Sequence, residues 1–199
     1  MPGESITVIV FHYSPQATSL LASSGKDRRL CFFSVEILDE KIRASHFLTL
    51  RKAHKRIVWD CSWFRDDHIL TVSRDGVCKL WQLTSTPEGP SCDCLVEFSP
   101  FDGEPVTAID VNFHIFNRIM VALGCENGRL SVWEAGISEA QKDIAFNMLT
   151  EANIHCKHGL TVKRVRWCPK ATNDDFVLAS VGEDHTVRIF TLCIQRNQI

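Results

Sequence analysis

The sequence predicts an all-β protein in which one four-stranded unit occurs four times along 199 residues. A short segment that begins with Asp or Asn and ends in an aromatic residue recurs at a mean spacing of about 52 residues. Two copies contain Asp-Gly or Asn-Gly, which is a strong signal for a tight β-hairpin turn. The aromatic residues are distributed through short runs that are typical of strands.

The repeated segment supplies the turn and the third strand of each unit. Its copies are residues 27–33 (DRRLCFF), 75–81 (DGVCKLW), 127–133 (NGRLSVW) and 184–190 (DHTVRIF). A short apolar run shortly before each copy predicts the second strand, as in Leu178-Ala179-Ser180. Strand, turn and strand therefore form the central hairpin of each unit.

The first strand of each unit carries apolar residues that are separated by steps of three and then two. These sets are Val8, Phe11, Tyr13; Val58, Cys61, Trp63; Ala108, Val111, Phe113; and Val162, Val165, Trp167. A flat strand keeps one face at even separations, so a step of three predicts a β-bulge that resets the pleat.

Fourth strands are expected over residues 44–50, 94–98 and 145–151, although residues 138–152 also fit a short helix or a loop insertion. No Ser/Gly-rich linker or block of charge separates the units. We therefore expect one array over residues 1–199, divided into approximate units 1–50, 51–100, 101–152 and 153–199.

This pattern resembles the WD-repeat β-propeller family. Its diagnostic residues are His54, Thr71, Asp75 and Trp81 in the second unit, and His158, Ser180, Asp184 and Phe190 in the fourth. The resemblance implies that each set forms a buried hydrogen-bond chain, here called the blade lock, which ties the first strand to the central hairpin. The other two units depart from it, with Glu104, Leu123 and Asn127 in the third and Glu4 and Phe33 in the first.

The resemblance also implies an arrangement of blades. Blades of this family normally pack in rings of about seven. Four blades therefore predict an open partial propeller whose two ends expose apolar sheet faces, and we expect such a chain to self-associate.

Three stretches depart from the generic repeat and resemble one branch of the family. They are residues 56–63 (RIVWDCSW), 106–108 (VTA) and 160–167 (LTVKRVRW). Members of that branch are non-catalytic subunits of a complex that modifies wobble uridines in transfer RNA. The resemblance implies the last four blades of such a subunit's second propeller, with a catalytic acetyltransferase-like subunit and a large scaffold subunit as partners, and neither a cofactor nor a small-molecule substrate.

Basic residues are the candidate partner contacts. In a propeller the loop before the first strand and the turn after the second strand open onto the same rim. This places Arg56, Arg74, Lys163, Arg164, Arg166 and His185 there, with Asp60 and Asp110 between them. The rim could bind an acidic partner surface or contribute electrostatically to RNA binding, and the alternative is a solvated surface of mixed charge. Aromatic residues are not interleaved with these basic residues, so the sequence does not support sequence-specific RNA recognition.

Other functional classes fit the residues less well. Ser, His and Asp recur together, but a catalytic set would occur once rather than once per unit. Cys92 and Cys94 with His155 and Cys156 offer zinc-type donors, although their spacing is tighter than usual, which leaves a thiol or zinc enzyme as a weak alternative. The closer alternative is a WD-repeat adaptor of an unrelated assembly, such as a ubiquitin-ligase receptor or a cytoskeletal adaptor.

Composition excludes some classes. The net charge of −2 is no global signature of nucleic-acid or membrane binding, and no apolar run is long enough for a membrane span. The first residues lack the features of a signal peptide. Nine cysteines without framework spacing favour reduced thiols, so we expect a cytosolic or nuclear protein.

Overall fold

A computed structural model describes residues 6–12, 19–38, 41–113, 119–137, 144–151, 157–169 and 175–193. Within these residues all fifteen regular elements are β-strands. They form four sheets in which strands that follow one another in sequence are neighbours, and we call these sheets blades 1 to 4. The predicted all-β class, with four propeller-type blades, is confirmed.

Among the described residues, each of the first three blades has four strands and the fourth has three. Blade 1 contains β1 (Ile6–His12), β2 (Ser19–Gly25), β3 (Leu30–Leu38) and β4 (Lys41–Leu50). Blade 2 contains β5 (Val58–Arg65), β6 (His68–Ser73), β7 (Cys78–Thr86) and β8 (Gly89–Phe98). Blade 3 contains β9 (Val106–Phe113), β10 (Ile119–Cys125), β11 (Leu130–Ile137) and β12 (Ile144–Glu151). Blade 4 contains β13 (Val162–Trp167), β14 (Asp175–Gly182) and β15 (Val187–Cys193).

The region with two predicted alternatives is a strand where it is described. β12 runs over Ile144–Glu151 and pairs with β11, so the helix alternative is wrong for these residues. Residues 138–143 and 152 lie outside the described residues. The division into one array with the predicted unit boundaries stays a prediction, as does the open arc.

The bulge in the first strand lies at one register in all blades whose pairing is recorded. It falls between Val58 and Asp60 in blade 2 and between Val162 and Arg164 in blade 4, which is where the step of three places it. In blade 1 it falls between Ile6 and Val8. The expected set Val8, Phe11, Tyr13 was therefore two residues too late.

The corrected register applies to blade 3 as well. The hydroxyl of Thr7 contacts the carbonyl oxygen of Ser24 at 3.3 Å, and that of Thr107 contacts the carbonyl oxygen of Gly124 at 3.2 Å. Thr107 thus takes the place of Thr7, and the set beginning at Ala108 was also two residues late. The apolar step of three can be drawn through either start, so the sequence pattern did not distinguish them.

A second bulge lies in the fourth strand of each of the first three blades. The pairing register shifts just before the aromatic residue of the third strand, namely Phe33, Trp81 or Trp133. The residue left without a partner in the register stands on the fourth strand, at Phe47, Leu95 or Leu149, so this strand carries the local bend.

The chain divides into two compact units, Met1–Val106 and Thr107–Ile199. In the first unit, apolar residues of blades 1 and 2 form one core that includes Phe32, Trp63 and Ile69. In the second unit, blades 3 and 4 form another core that includes Met120, Trp167 and Phe176. Each pair of blades therefore buries one shared apolar interface.

Two hydrogen bonds recur at both of these blade interfaces. The Thr7 hydroxyl donates to the carbonyl oxygen of Val58 at 2.5 Å, and the Thr107 hydroxyl donates to that of Val162 at 2.6 Å. The indole of Trp63 donates to the Val10 carbonyl oxygen, and the indole of Trp167 donates to the Asp110 carbonyl oxygen. The extra residue of the bulge and the strand aromatic therefore link one blade to the next.

The turn after the second strand requires a left-handed residue in every blade. Gly76 and Gly128 have φ of 80° and 86°, and Arg28 and His185 have φ of 65° and 60° at the equivalent places. A Cβ on Gly128 would lie 2.0 Å from the carbonyl oxygen of His158, so glycine is needed there for space as well as for φ.

Among the described residues, no helix has the length and apolarity needed to cross a membrane.

Candidate interaction surface

The blade lock of blade 2 is a continuous chain of four side chains. His54 contacts both carboxylate oxygens of Asp75 through Nδ1, at 3.3 and 3.2 Å. Its Nε2 lies 2.7 Å from the hydroxyl of Thr71, and the indole of Trp81 donates to that hydroxyl at 2.9 Å. The Lys55 backbone N–H also donates to Asp75 at 2.8 Å, so the loop before β5 is fixed to the β6–β7 turn.

Blade 4 has a different chain. His158 contacts Asp184 through Nδ1 at 2.9 Å and the Ser180 hydroxyl through Nε2 at 2.8 Å. Phe190 does not extend this chain, because a phenyl ring has no hydrogen-bond donor; it packs partly buried against the core of the second unit. Thr186 joins instead, with its hydroxyl 2.8 Å from Asp184. The assignment of Phe190 to a hydrogen-bond chain was therefore wrong.

Blade 3 satisfies its polar groups locally. Leu123 is fully buried where blade 2 has a hydroxyl. The indole of Trp133 donates to Ser131 at 2.9 Å, and the Asn127 side-chain oxygen accepts from the Cys125 thiol at 2.8 Å. Glu104 is exposed. Glu4, the corresponding residue of blade 1, lies outside the described residues.

The two lock carboxylates are held in the charged form. Burial by itself raises the pKa of Asp75, but the hydrogen bond and charge of His54, with the donors of Lys55 and Ser73, lower it from 3.8 to about 2. Burial likewise raises the pKa of Asp184, and donors from Gly159, His158 and Thr186 more than reverse the effect. Each carboxylate is therefore a stable acceptor at neutral pH.

The recurring hydroxyl, imidazole and carboxylate groups are enclosed by protein. Thr71 and Ser180 are 0% and 1% exposed. A nucleophilic hydroxyl must be reachable by substrate and must face an oxyanion site. These side chains therefore serve as hydrogen-bond partners within the blades.

Neither of the two described cysteines that the sequence offered as zinc-type donors, Cys92 and Cys94, has an activated thiol. Burial and the nearby charges of Asp93 and Cys94 raise the pKa of the Cys92 thiol to about 12. Burial also raises the pKa of Cys94. No group of three or more His, Cys, Asp or Glu side chains that could hold a metal occurs among the described residues, and His155 and Cys156 lie outside them.

In the first unit, Arg56 and Arg74 are exposed on adjoining loops. The Arg74 backbone N–H donates to the Ile57 carbonyl oxygen at 3.0 Å, which brings the β6–β7 turn against the loop before β5. Asp60 is fully buried in β5 and accepts from the Cys61 N–H at 3.0 Å. The expectation that Asp60 lies between basic residues on the rim was therefore wrong.

In the second unit, Lys163, Arg164 and His185 are exposed. The same backbone contact recurs, because the Glu183 N–H donates to the Thr161 carbonyl oxygen at 2.9 Å. Lys163 is the extra residue of the bulge and pairs with Glu183 at 2.5 Å. Arg164 contacts the Lys163 carbonyl oxygen at 3.1 Å and projects from the same edge.

Arg166 is exposed but takes part in the blade 3–blade 4 interface. Its guanidinium donates to the carbonyl oxygens of Val165 and Ile109, at 2.7 and 3.3 Å, and lies 4.0 Å from Asp110. Asp110 in turn accepts from the Trp167 N–H at 2.7 Å. Burial raises the pKa of Asp110 despite these donors. Arg166 therefore differs from Arg164, since changing it also affects the interface.

Sequence reasoning missed two features. One is the pair Thr7 and Thr107, each of which follows the first apolar residue of its blade and could have been found by aligning Ile6-Thr7 with Val106-Thr107. The other is the basic turn of blade 1, where Lys26, Arg28 and Arg29 are all exposed. Its signal was visible as three basic residues within four positions.

Comparison with known families agrees with this geometry. The family described as "WD domain, G-beta repeat" matches residues 45–82, which cover the blade 2 lock from His54 to Trp81. The chain therefore contains a WD repeat, and its four sheets have the blade architecture of a β-propeller.

The similarity to particular proteins extends over nearly the whole chain. The chain is 27% identical over 200 residues to Elongator complex protein 2 of Schizosaccharomyces pombe, covering 98% of this chain and 24% of that protein. It is 28% identical to the protein of that name from Drosophila melanogaster (90% and 22% covered) and 29% identical to that from Arabidopsis thaliana (96% and 23%). The chain thus spans about a quarter of the length of these relatives.

We predict that Asp75→Ala is more destabilising than Asn127→Ala. Asp75 accepts from His54 and Lys55, and its loss leaves buried donors unpaired, which costs about 1–3 kcal/mol. Asn127 accepts from Cys125 and Arg129 in an exposed turn, so its loss should cost about 0.5–1 kcal/mol. Urea unfolding of both variants measures the difference, and equal losses would show that the blade lock is not the stronger restraint.

Acid should remove the contribution of the Asp75 carboxylate to the free energy of unfolding. Because its pKa is lowered on folding, its carboxylate stabilises the fold fully above about pH 4 and loses that effect as the pH falls from 3.8 towards 2. The difference in unfolding free energy between the unsubstituted chain and Asp75→Asn should therefore shrink from pH 5 to pH 2. Asp93→Asn, on an exposed part of β8, is the matched control and should differ little from the unsubstituted chain at either pH. A difference for Asp75→Asn that does not change with pH would contradict this assignment.

Proposed function

We propose that this chain acts as a non-catalytic scaffold of the Elongator type and supports modification of wobble uridines in transfer RNA. In this role it binds other subunits of the complex, namely the catalytic acetyltransferase-like subunit and the large scaffold subunit. The observation that carries the proposal is the similarity to proteins named Elongator complex protein 2 along 90–98% of the chain. A cytosolic or nuclear location is part of the proposal.

Two structural observations support a binding role. The hydroxyl groups that could have suggested catalysis are buried inside the blade locks. The loops at the rim are held by the lock carboxylates and by the repeated backbone contacts at Ile57 and Thr161. Loops fixed in this way offer a preorganised surface, which reduces the entropy that a partner must overcome on binding.

Exposed basic residues are the proposed contacts. Arg56, Arg74, Lys163, Arg164 and His185 lie on such loops or strand edges in their respective units. Exposed cations can attract an acidic protein surface or the phosphates of transfer RNA and so guide the approach of either partner.

Co-purification tests the scaffold role. A tagged copy of the chain is expressed in cells of its own source, and the eluate is analysed by mass spectrometry. The proposal expects the acetyltransferase-like and large subunits in the eluate. Recovery of a ubiquitin ligase or of cytoskeletal proteins, without those subunits, would instead support the alternative adaptor role.

Charge reversal should then separate contact from folding. We predict that Arg164→Glu with Arg166→Glu lowers the recovery of the partner subunits severalfold. Because Arg166 also bonds across the blade interface, Arg164→Glu alone is the sharper test and should leave the thermal melt unchanged. Arg43→Glu, on exposed β4, is the matched control. Full recovery of partners with Arg164→Glu would assign this residue to the solvated surface.

A further inference from the structure

Three adjoining loops of the first unit concentrate positive charge. They are the β2–β3 turn, the loop from β4 to β5, and the β6–β7 turn. Together they expose eight basic side chains, which we call the polybasic loop surface: Lys26, Arg28, Arg29, Arg51, Lys52, Lys55, Arg56 and Arg74. The net charge of the whole chain is −2, so this surface differs sharply from the average.

Backbone contacts fix the three loops against one another. The Ala53 N–H donates to the Arg28 carbonyl oxygen at 3.0 Å, which joins the first turn to the loop. The Lys55 N–H donates to Asp75 at 2.8 Å, and the Arg74 N–H donates to the Ile57 carbonyl oxygen at 3.0 Å. The basic residues are therefore held on one continuous surface by the same contacts that stabilise the blades.

The carboxylates on these loops are already occupied. Asp75 is nearly buried and accepts from His54, Lys55 and Val77. Asp27 accepts from the Arg29 N–H at 3.1 Å, with the Arg29 guanidinium 3.6 Å away. Asp102 and Glu104 are exposed beside the turn of Gly76, where they limit the surface on that side. Most of the positive charge is thus available to an external anion.

The conformation of Arg28 is a second, independent observation. Its φ of 65° is in the left-handed region, which is unfavourable for a side chain with a Cβ, and the equivalent residues of blades 2 and 3 are glycines. Blade 4 also has a non-glycine residue at this place, the exposed His185 with φ of 60°, so two blades keep a side chain where glycine would be less strained. Arg28 carries an exposed guanidinium at the edge of the surface.

We propose that the polybasic loop surface binds the phosphodiester backbone of a structured nucleic acid, which in the proposed function is a transfer RNA. Arginine and lysine neutralise phosphates without reading bases, and the one aromatic ring on the three loops, that of His54, is buried and not available for base stacking. A protein partner of comparable affinity normally inserts apolar anchors. Each of the large hydrophobic residues that are strongly exposed in the first unit lies on a strand, and none lies on these loops.

The inference deepens the proposed function but can fail separately from it. RNA binding is measured on the chain alone, whereas the scaffold role is measured by recovery of other subunits. If the unsubstituted chain does not bind RNA but still co-purifies with the other subunits, this inference is overturned and the scaffold role remains.

Fluorescence anisotropy of the full chain with a labelled RNA hairpin of about 20 base pairs tests the surface. Backbone binding predicts an affinity that falls steeply between about 50 and 200 mM salt, with a slope of about −3 to −5 in a log–log plot. A DNA duplex of the same length is measured in parallel. RNA binding at least as tight as DNA binding is expected, and binding to DNA alone would contradict the assignment to transfer RNA.

The test variant removes one charge from each loop. Arg28→Gly, Lys52→Gln and Arg74→Gln together should weaken RNA binding at least about tenfold and make the salt slope less steep by about 2–3. The matched control is Lys41→Gln, Arg43→Gln and Arg65→Gln, which removes three charges at the opposite end of the same sheets and should change the affinity less than about twofold.

If the two triple variants lose RNA affinity equally, the loss follows from net charge alone, and the proposal is overturned. Arg28→Gly alone guards against misfolding, since glycine suits this φ, and it should lower RNA affinity with an unchanged thermal melt. Unlabelled poly-glutamate of equal charge should compete at least about tenfold less well than RNA. Equal competition would show that the surface binds acidic protein instead.

Discussion

A buried carboxylate must be surrounded by donors, and this requirement organises the blades that contain a complete lock. Asp75 accepts from the His54 ring and from the Lys55 backbone, so the loop before β5 cannot separate from the β6–β7 turn without leaving a buried charge unpaired. Asp184 imposes the same condition on blade 4 through His158 and Gly159. The loops that carry the exposed basic residues are thereby positioned by interactions in the interior.

The interfaces between blades use a different and repeated device. Thr7, at the bulge of β1, and Thr107, at the equivalent place in β9, each direct a hydroxyl to a backbone carbonyl oxygen in the first strand of the next blade. Apolar packing supplies most of the interface energy, but it is non-directional. The hydroxyl and indole hydrogen bonds fix the register of one sheet against the other. Stability of the interior and placement of the surface are therefore coupled in both units.

The extent of prediction from sequence differs between blades for physical reasons. The locks of blades 2 and 4 could be located because a hydroxyl residue stands four positions before Asp75 or Asp184, and a His stands nine positions before the first-strand tryptophan. The first strands of blades 1 and 3 were placed two residues late because strand periodicity does not distinguish Ile6 from Val8. Phe190 could not complete a hydrogen-bond chain, and Thr186 was not expected because its hydroxyl reaches Asp184 only through the turn geometry. The role of Arg166 in the blade interface depends on a carbonyl group in another strand, which no local pattern reveals.

A double-mutant cycle tests most directly whether the lock is a coupled unit. His54→Phe and Thr71→Val are made singly and together, and the free energy of unfolding is measured by urea titration. A coupled lock predicts an interaction energy of about 1 kcal/mol or more, whereas His54→Phe with the distant, exposed Thr86→Val should be additive. Additivity within about 0.3–0.5 kcal/mol for His54 and Thr71 would contradict the account, because it would mean that the two side chains stabilise the blade independently.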